Sequence, residues 1–251
     1  MLDNILGNSK LFKDTITKNL ELETSDEQLL LFKIVKEYLS DTNTLYKLLT
    51  KQDRKSHCEI AVEAQPLTPR TDERNSLLDL AMGSIKKRGT TTSGIDLDKD
   101  NEEQDFVFCE AKWKSDLSVG VTKCSFRNQL QRVIENALFF AGENFKGNIF
   151  VTLITPELYK KHYELGLYTR FYSYKYAEYK GNIKGTFLRE LDLIQEANLI
   201  PFKNNKNRDI IEKNLDKLIL NWVTFEELFE KLKEKFEEIK EIYNEINNKE
   251  N

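Results

Sequence analysis

Asp79 stands inside the apolar run Leu77, Leu78, Leu80, Ala81, Met82, and Glu110 closes a second such run, Phe106 to Cys109, with Lys112 two residues further on. An unpaired carboxylate in apolar surroundings costs on the order of several kcal/mol, so each acid requires a cation, a set of donors or a bound proton. On an extended chain Glu110 and Lys112 project from one face. They do so at the C-terminal end of a strand, where open sheets often place their sites. If the two runs are neighbouring strands, Asp79 meets Glu110 across the sheet with Lys112 alongside. Two carboxylates so placed offer the hard oxygen ligands that Mg2+ prefers. A divalent ion there would lower the pKa of a water and hold a phosphate oxygen. The Lys112 ammonium would orient that water or neutralise charge developing at phosphorus. This is the chemistry of phosphodiester hydrolysis.

Other elements must do the positioning. Residues 25–50 open with Ser25 and Gln28 at capping-box spacing and continue as a helical stripe of Leu29, Phe32, Ile34, Val35 and Leu39. Cys58, Ile60 and Val62 alternate towards Pro66, which predicts a strand. The segment from Ser76 to Ile85 is ambiguous. Its length and flanks suit a strand, whereas its Leu, Ala and Met residues suit a helix capped by Thr71; the strand is preferred. The polar stretch 86–104 predicts an exposed hairpin or loop. Residues 105–113 are apolar on both faces through their middle, the pattern of a central strand. Phe126, Leu130, Val133, Ile134, Ala137 and Leu138 mark an amphipathic helix, and a buried strand lies between Gly147 and Pro156. Helix, strand, strand, strand, helix, strand is the order of a mixed α/β domain with helices covering a sheet. The chain divides into an N-terminal helical extension (1–24), an α/β core (25–156), a Tyr/Lys-rich segment packing on the core (157–208) and a C-terminal helical tail (209–251). In the tail Thr224 and Glu227 form a second capping box. Phe229, Leu232, Phe236, Ile239, Tyr243 and Ile246 then recur three and four apart.

An acid in an apolar strand, then Glu110-Ala111-Lys112 ending the next strand, then a helix and a strand: over residues 25–155 this resembles the PD-(D/E)xK nuclease superfamily. The resemblance implies a mixed central sheet with an αβββαβ restriction-endonuclease-like core, flanked here by N-terminal and C-terminal helices. It implies a Mg2+-dependent endonuclease, with Mn2+ as a substitute, in which Asp79 and Glu110 ligate metal and Lys112 assists the attacking water. DNA is the implied substrate, and restriction or phage defence the implied setting. Gln129, on the helix after the E-x-K strand, resembles a glutamine that some members place near the metals. Arg127 and Arg132 beside it are candidate phosphate contacts. Leu78 stands where the family often has proline. Asp79 lies 31 residues before Glu110 (110 − 79), a long spacing, and Asp96 lies only 14 before it (110 − 96). Asp79 is preferred because it interrupts an apolar strand and keeps the element order. Asp96 sits among Asp98, Asp100, Glu102, Glu103 and Asp105, as in a solvated acidic loop. Glu37 and Glu63 are further candidate carboxylates, although a surface or capping role accounts for either.

Taken alone, Glu110 and Lys112 also fit a strand-end ion pair, and Gln129 with Arg127 fits the polar flank of a helix. Rival chemistries fail on missing parts. With only His57 and His162 the chain offers no two-histidine zinc site, and it has neither a P-loop nor a GxSxG elbow. Cys58, Cys109 and Cys124 form no CxxC pair, which points to a reducing cytoplasm. No signal-peptide core or membrane-length apolar run is present, so no membrane partner is expected. A net charge of −4 confines any polyanion binding to a local groove. The segment 167–187 interleaves Tyr168, Phe171, Tyr172, Tyr174, Tyr176 and Tyr179 with Arg170, Lys175 and Lys180. It reads either as a base-stacking surface or as a β-hairpin packed on the domain. Two alternatives stay open: a non-catalytic nucleic-acid-binding or complex-assembly subunit that keeps the fold, and an RNase. The tail offers a homodimer or partner surface, or simply packs on its own domain.

Overall fold

A computed structural model describes residues 26–71, 73, 76–118, 124–232, 241 and 244. The expected N-terminal extension and the tail residues Phe236, Ile239, Tyr243 and Ile246 lie outside these. The described residues open with α1 (Asp26–Glu37), joined by a 3-10 turn to α2 (Thr42–Thr50), which is capped by the Asp41 carboxylate accepting the Thr44 N–H at 3.1 Å. Three strands follow, β1 (Glu59–Ala64), β2 (Leu78–Gly83) and, after a short hairpin of β3 (Ile85–Lys87) and β4 (Ile95–Leu97), β5 (Phe106–Ala111). Next come α3 (Gln129–Ala141), β6 (Ile149–Thr155), α4 (Glu157–Glu164), α5 (Phe171–Glu196), α6 (Lys206–Asn214), β7 (Leu218–Thr224) and α7 (Phe225–Glu230).

Five strands form one mixed sheet in the order β1-β2-β5-β6-β7. β1, β2 and β5 are antiparallel neighbours, while β5, β6 and β7 run parallel. The parallel half demands crossovers over the faces of the sheet, and α3 supplies the one between β5 and β6. Alternation along each strand then builds two apolar layers. Ala81, Phe106, Phe108, Val151 and Trp222 face α3, α5 and α6, whereas Leu80, Met82, Val107, Cys109 and Phe150 face α1, α2 and α7. β6 is buried at every position, its five apolar residues and two threonines alike, as a central strand covered on both faces requires. The expected α/β class with a mixed central sheet and flanking helices is what the chain forms.

Gly83 makes the exit from β2 possible. Its φ is +112°, and a Cβ there would lie 2.6 Å from the Asp105 carbonyl oxygen. The hairpin that follows folds as a separate two-stranded sheet, in line with its polar composition. Its base is tied down by buried Arg54, which donates to the Ser84 hydroxyl and to the His57, Glu103 and Asp105 carbonyls.

Three expectations need correction. The region after residue 209 is not helical throughout, because 218–224 forms β7. Leu220, Trp222 and Val223 alternate between the two layers there, and Trp222 Nε1 donates to Thr155 Oγ1 at 2.7 Å. Ile219, Trp222, Val223 and Thr224 favour a strand in their own right, and pairing with β6 completes it. The Tyr-rich segment is a helix, not a hairpin. Tyr172 and Tyr176 pack their rings against Trp222 at 5.8 and 5.1 Å, leaving Tyr168 and Tyr174 exposed. Phe126 does not join the α3 stripe. It is 55% exposed on the turn before Asn128, whose side chain caps α3 by accepting the Gln131 N–H at 2.9 Å. Phe108, whose ring stacks on Phe106 and Phe140 at the centre of one layer, tests how much this core carries. Phe108→Ala is expected to lower the unfolding free energy by about 3–5 kcal/mol in urea titration.

Candidate functional site

The β2–β5 ladder runs from Gly83↔Phe106 to Leu80↔Cys109 and then stops. One step further the same register sets Asp79 opposite Glu110. There the strands part, and the Asp79 Oδ2 takes the Ala111 N–H at 2.6 Å, a donor that would otherwise lack a partner on β2. On its other side β5 stays paired, with Lys112 N–H donating to the Ile154 carbonyl at 2.8 Å. The opening between β2 and β5 is thus lined by a side chain in place of a backbone rung. Glu110 lies 1% exposed and Lys112 5%, and their Oε1 and Nζ atoms are 2.8 Å apart. Asp79 is half-buried.

A third carboxylate arrives from α1. Glu27 accepts the Trp113 N–H and the Ser115 hydroxyl, the latter at 3.1 Å, and its Oε1 lies 3.8 Å from Lys112 Nζ. Three carboxylates therefore surround one ammonium, and with all four groups charged they leave a net negative charge in a water-poor place. Burial and the neighbouring Glu110 carboxylate hold the Asp79 carboxyl well above the usual range, against the pull of Lys112 and the Ala111 N–H. For Lys112, burial pulls the ammonium down, but Glu110, Asp79 and Glu27 outweigh it and raise it. Lys112 is consequently a fixed cation, and the Asp79 carboxyl keeps its proton above the usual carboxylate range.

Among the described residues no group of three or more His, Cys, Asp and Glu side chains is arranged to hold a metal ion. The donor set nevertheless fits a hard divalent cation that keeps most of its waters. Mg2+ is commonly held by one or two carboxylates, which Asp79 and Glu110 provide, and the excess negative charge favours a cation.

The structure brings together Asp79, Glu110 and Lys112, as the sequence pattern anticipated, with Glu63 on the neighbouring strand β1, and gives Asp96, Glu37, Gln129 and Arg127 other surroundings. Asp96 lies on β4 in the separate hairpin, paired in register with Lys86 and 4.0 Å from Arg88 Nη1. Glu37 ends α1 ten residues beyond Glu27 (37 − 27), or about 15 Å along the helix axis. Gln129 does not face the acids with its amide oxygen, which accepts the Ser118 N–H at 2.7 Å and closes the loop after β5. Arg127 is fully buried. It pairs with Glu73 at 2.9 Å and Glu135 at 3.5 Å, and so cannot offer its guanidinium to a phosphate. Glu135 also takes Arg70, whose Nη1 donates to the Ile200 carbonyl at 2.8 Å. These ion pairs clamp the segment between β1 and β2 onto α3 and so fix the entry of β2. Two turns of α3 carry buried amides, Gln131 and Asn136, that find no hydrogen-bond partner among the described residues.

Glu27 was absent from the sequence-based candidates. An acid in the first turn of a helix reads as a partner of the helix dipole, and nothing local shows that it reaches Trp113, 86 residues away. No family model matches this chain, and no curated protein or solved structure is significantly similar to it.

Two expectations follow. Since the Asp79 carboxyl is raised, its proton stabilises the fold at low pH, and that contribution is lost as pH rises through the raised value. Asp79→Asn should therefore unfold at a urea concentration equal to or above that of wild type at neutral pH in chelator, with the gap closing in acid. Arg127→Ala leaves the buried Glu73 carboxylate without its cation, while Glu135 keeps Arg70, and should lower the unfolding free energy by about 3–5 kcal/mol.

Proposed function

We propose that this chain is a Mg2+-dependent endonuclease that hydrolyses phosphodiester bonds of DNA, with Mn2+ as a working substitute. The convergence of Asp79, Glu110 and Glu27, from three separate elements, on the single ammonium of Lys112 carries the reading. The element order and the mixed sheet support it through the resemblance to the PD-(D/E)xK superfamily. When bound, Mg2+ between Asp79 and Glu110 would supply a Lewis acid for a phosphate oxygen and a water of lowered pKa. Burial and, after it, the like charge of Glu110 hold a proton on Asp79, and a cation arriving between the two carboxylates would oppose both effects and favour its release. Lys112 stays charged beside the same carboxylates, where it would neutralise charge developing on the phosphate. Burial of Glu110 and Lys112 excludes bulk water and strengthens both effects.

A role in restriction or phage defence belongs to the same proposal and rests on the resemblance alone. The three cysteines are free and buried, in keeping with a cytoplasmic setting, and no helix among the described residues is long and apolar enough to cross a membrane. The closed Glu110–Lys112 pair favours one other reading, a non-catalytic nucleic-acid-binding or assembly subunit in which that pair only holds the strand end.

Supercoiled plasmid incubated with Mg2+ separates the two. Wild type should nick it, and Lys112→Ala should lower the rate by ~10^2-fold or more. Calorimetry with Mn2+ should show binding lost in Asp79→Asn and kept in Asp96→Asn. Metal-independent DNA binding without cleavage would establish the binder, and preferential cleavage of RNA offered at equal concentration would establish an RNase.

A further inference from the structure

The antiparallel registers place three acids in one row across the sheet. Val62↔Leu80 and Ala64↔Leu78 bracket Glu63 of β1 against Asp79 of β2, and Asp79 continues to Glu110 of β5. Glu63 alone leaves the row. Its φ is +48°, a left-handed conformation in mid-strand that a residue with a Cβ rarely adopts. Ala61 and Ala64, three apart, both reach the layer facing α3, as do Leu78 and Ala81 opposite them on β2. The Glu63 carboxylate, 4% exposed with the rest of its side chain, accepts the Gln28 Nε2 of α1 at 2.7 Å. The adjacent residue on that helix is Glu27, which grips the Trp113 N–H and the Ser115 hydroxyl and approaches Lys112. The first turn of α1 is thus fastened on both sides of the opening, to β1 through Gln28 and to the segment after β5 through Glu27.

We propose that Glu63 is a positioning residue whose left-handed backbone and bond to Gln28 seat Glu27 against Trp113 and Lys112, and so set the third carboxylate of the site. The consequence for metal binding rests on the nuclease reading, whereas the seating of Glu27 does not. Strain held at one residue in exchange for the placement of another has a signature that a purely structural contact lacks. Relieving the strain should leave the fold as stable or more so while loosening the site.

Glu63→Gly accepts φ +48° without a Cβ and removes the bond to Gln28. Its urea midpoint should be no lower than that of wild type, while amide exchange at Trp113, followed by NMR, should speed up by about tenfold or more. Mn2+ affinity should weaken by about tenfold, as for other groups that orient a ligand. Glu63→Gln, whose amide oxygen can still accept from Gln28, should restore Trp113 protection and affinity. Gln28→Ala should deprotect Trp113 without any gain in stability. Unchanged Trp113 exchange in Glu63→Gly would overturn the proposal, as would a lowered midpoint with all amides losing protection together. Deprotected Trp113 with wild-type Mn2+ affinity would overturn its bearing on the site. Should wild type itself bind no Mn2+, the nuclease reading fails, and Trp113 exchange still decides whether Glu63 seats Glu27.

Discussion

One backbone amide governs the arrangement. The Ala111 N–H faces β2 at the point where the two strands cease to pair, and the Asp79 carboxylate takes it in place of a ladder partner. That substitution lets an acid sit at the start of an apolar strand, because one oxygen is satisfied by the backbone while the carboxyl remains beside Glu110. It also opens the sheet locally. Had Asp79 been apolar, continued pairing of β2 with β5 would be the expected outcome, and Glu110 would lose its like-charged neighbour. The electrostatic character of the site therefore begins with a hydrogen-bonding demand of the sheet.

The buried ion pairs behind this opening serve a related end. Arg70, Glu73, Arg127 and Glu135 exchange bonds where the connection from β1 to β2 crosses α3. Thr71 and Lys203 extend the junction through backbone bonds to Pro201 and Pro69. Buried pairs of this kind contribute little net stability against an apolar alternative, because desolvation offsets their attraction. What they supply is direction: charged groups permit few alternative packings, so the strand that carries Asp79 enters the sheet in one register.

Much of this was legible in the sequence, and the exceptions have physical causes. Asp79 and Glu110 stood out because each broke an apolar run, and strand alternation put Lys112 on the same face as Glu110. Period and punctuation located β1, β2, β5, α3 and β6. β7 was missed although Ile219, Trp222, Val223 and Thr224 favour a strand, because the capping box at Thr224 and the apolar stripe after it mark a helix whose start the pattern alone carries too far back. Gln129 opens a suitable helix and Arg127 lies in the turn before its cap, but a one-residue step around a helix is 100°, and the pattern does not say which neighbour each will find. Phe126 was counted into the stripe because spacing alone does not mark where the Asn128 cap begins the helix. Glu27 gave no signal at all, since its partners lie in a segment far along the chain.

Glu27, Asp79 and Glu110 are 52 (79 − 27) and 31 (110 − 79) residues apart, and the strand bearing Glu110 is held on its far side by β6, which follows later still. Contacts this distant form late, since long loops must close before they are rewarded. A chain in the course of synthesis, or one cut within any connecting segment and separated, carries all the acids without their convergence. Mutual repulsion is thereby deferred until the hydrophobic layers are complete, and whatever the cluster does is reserved for the finished molecule.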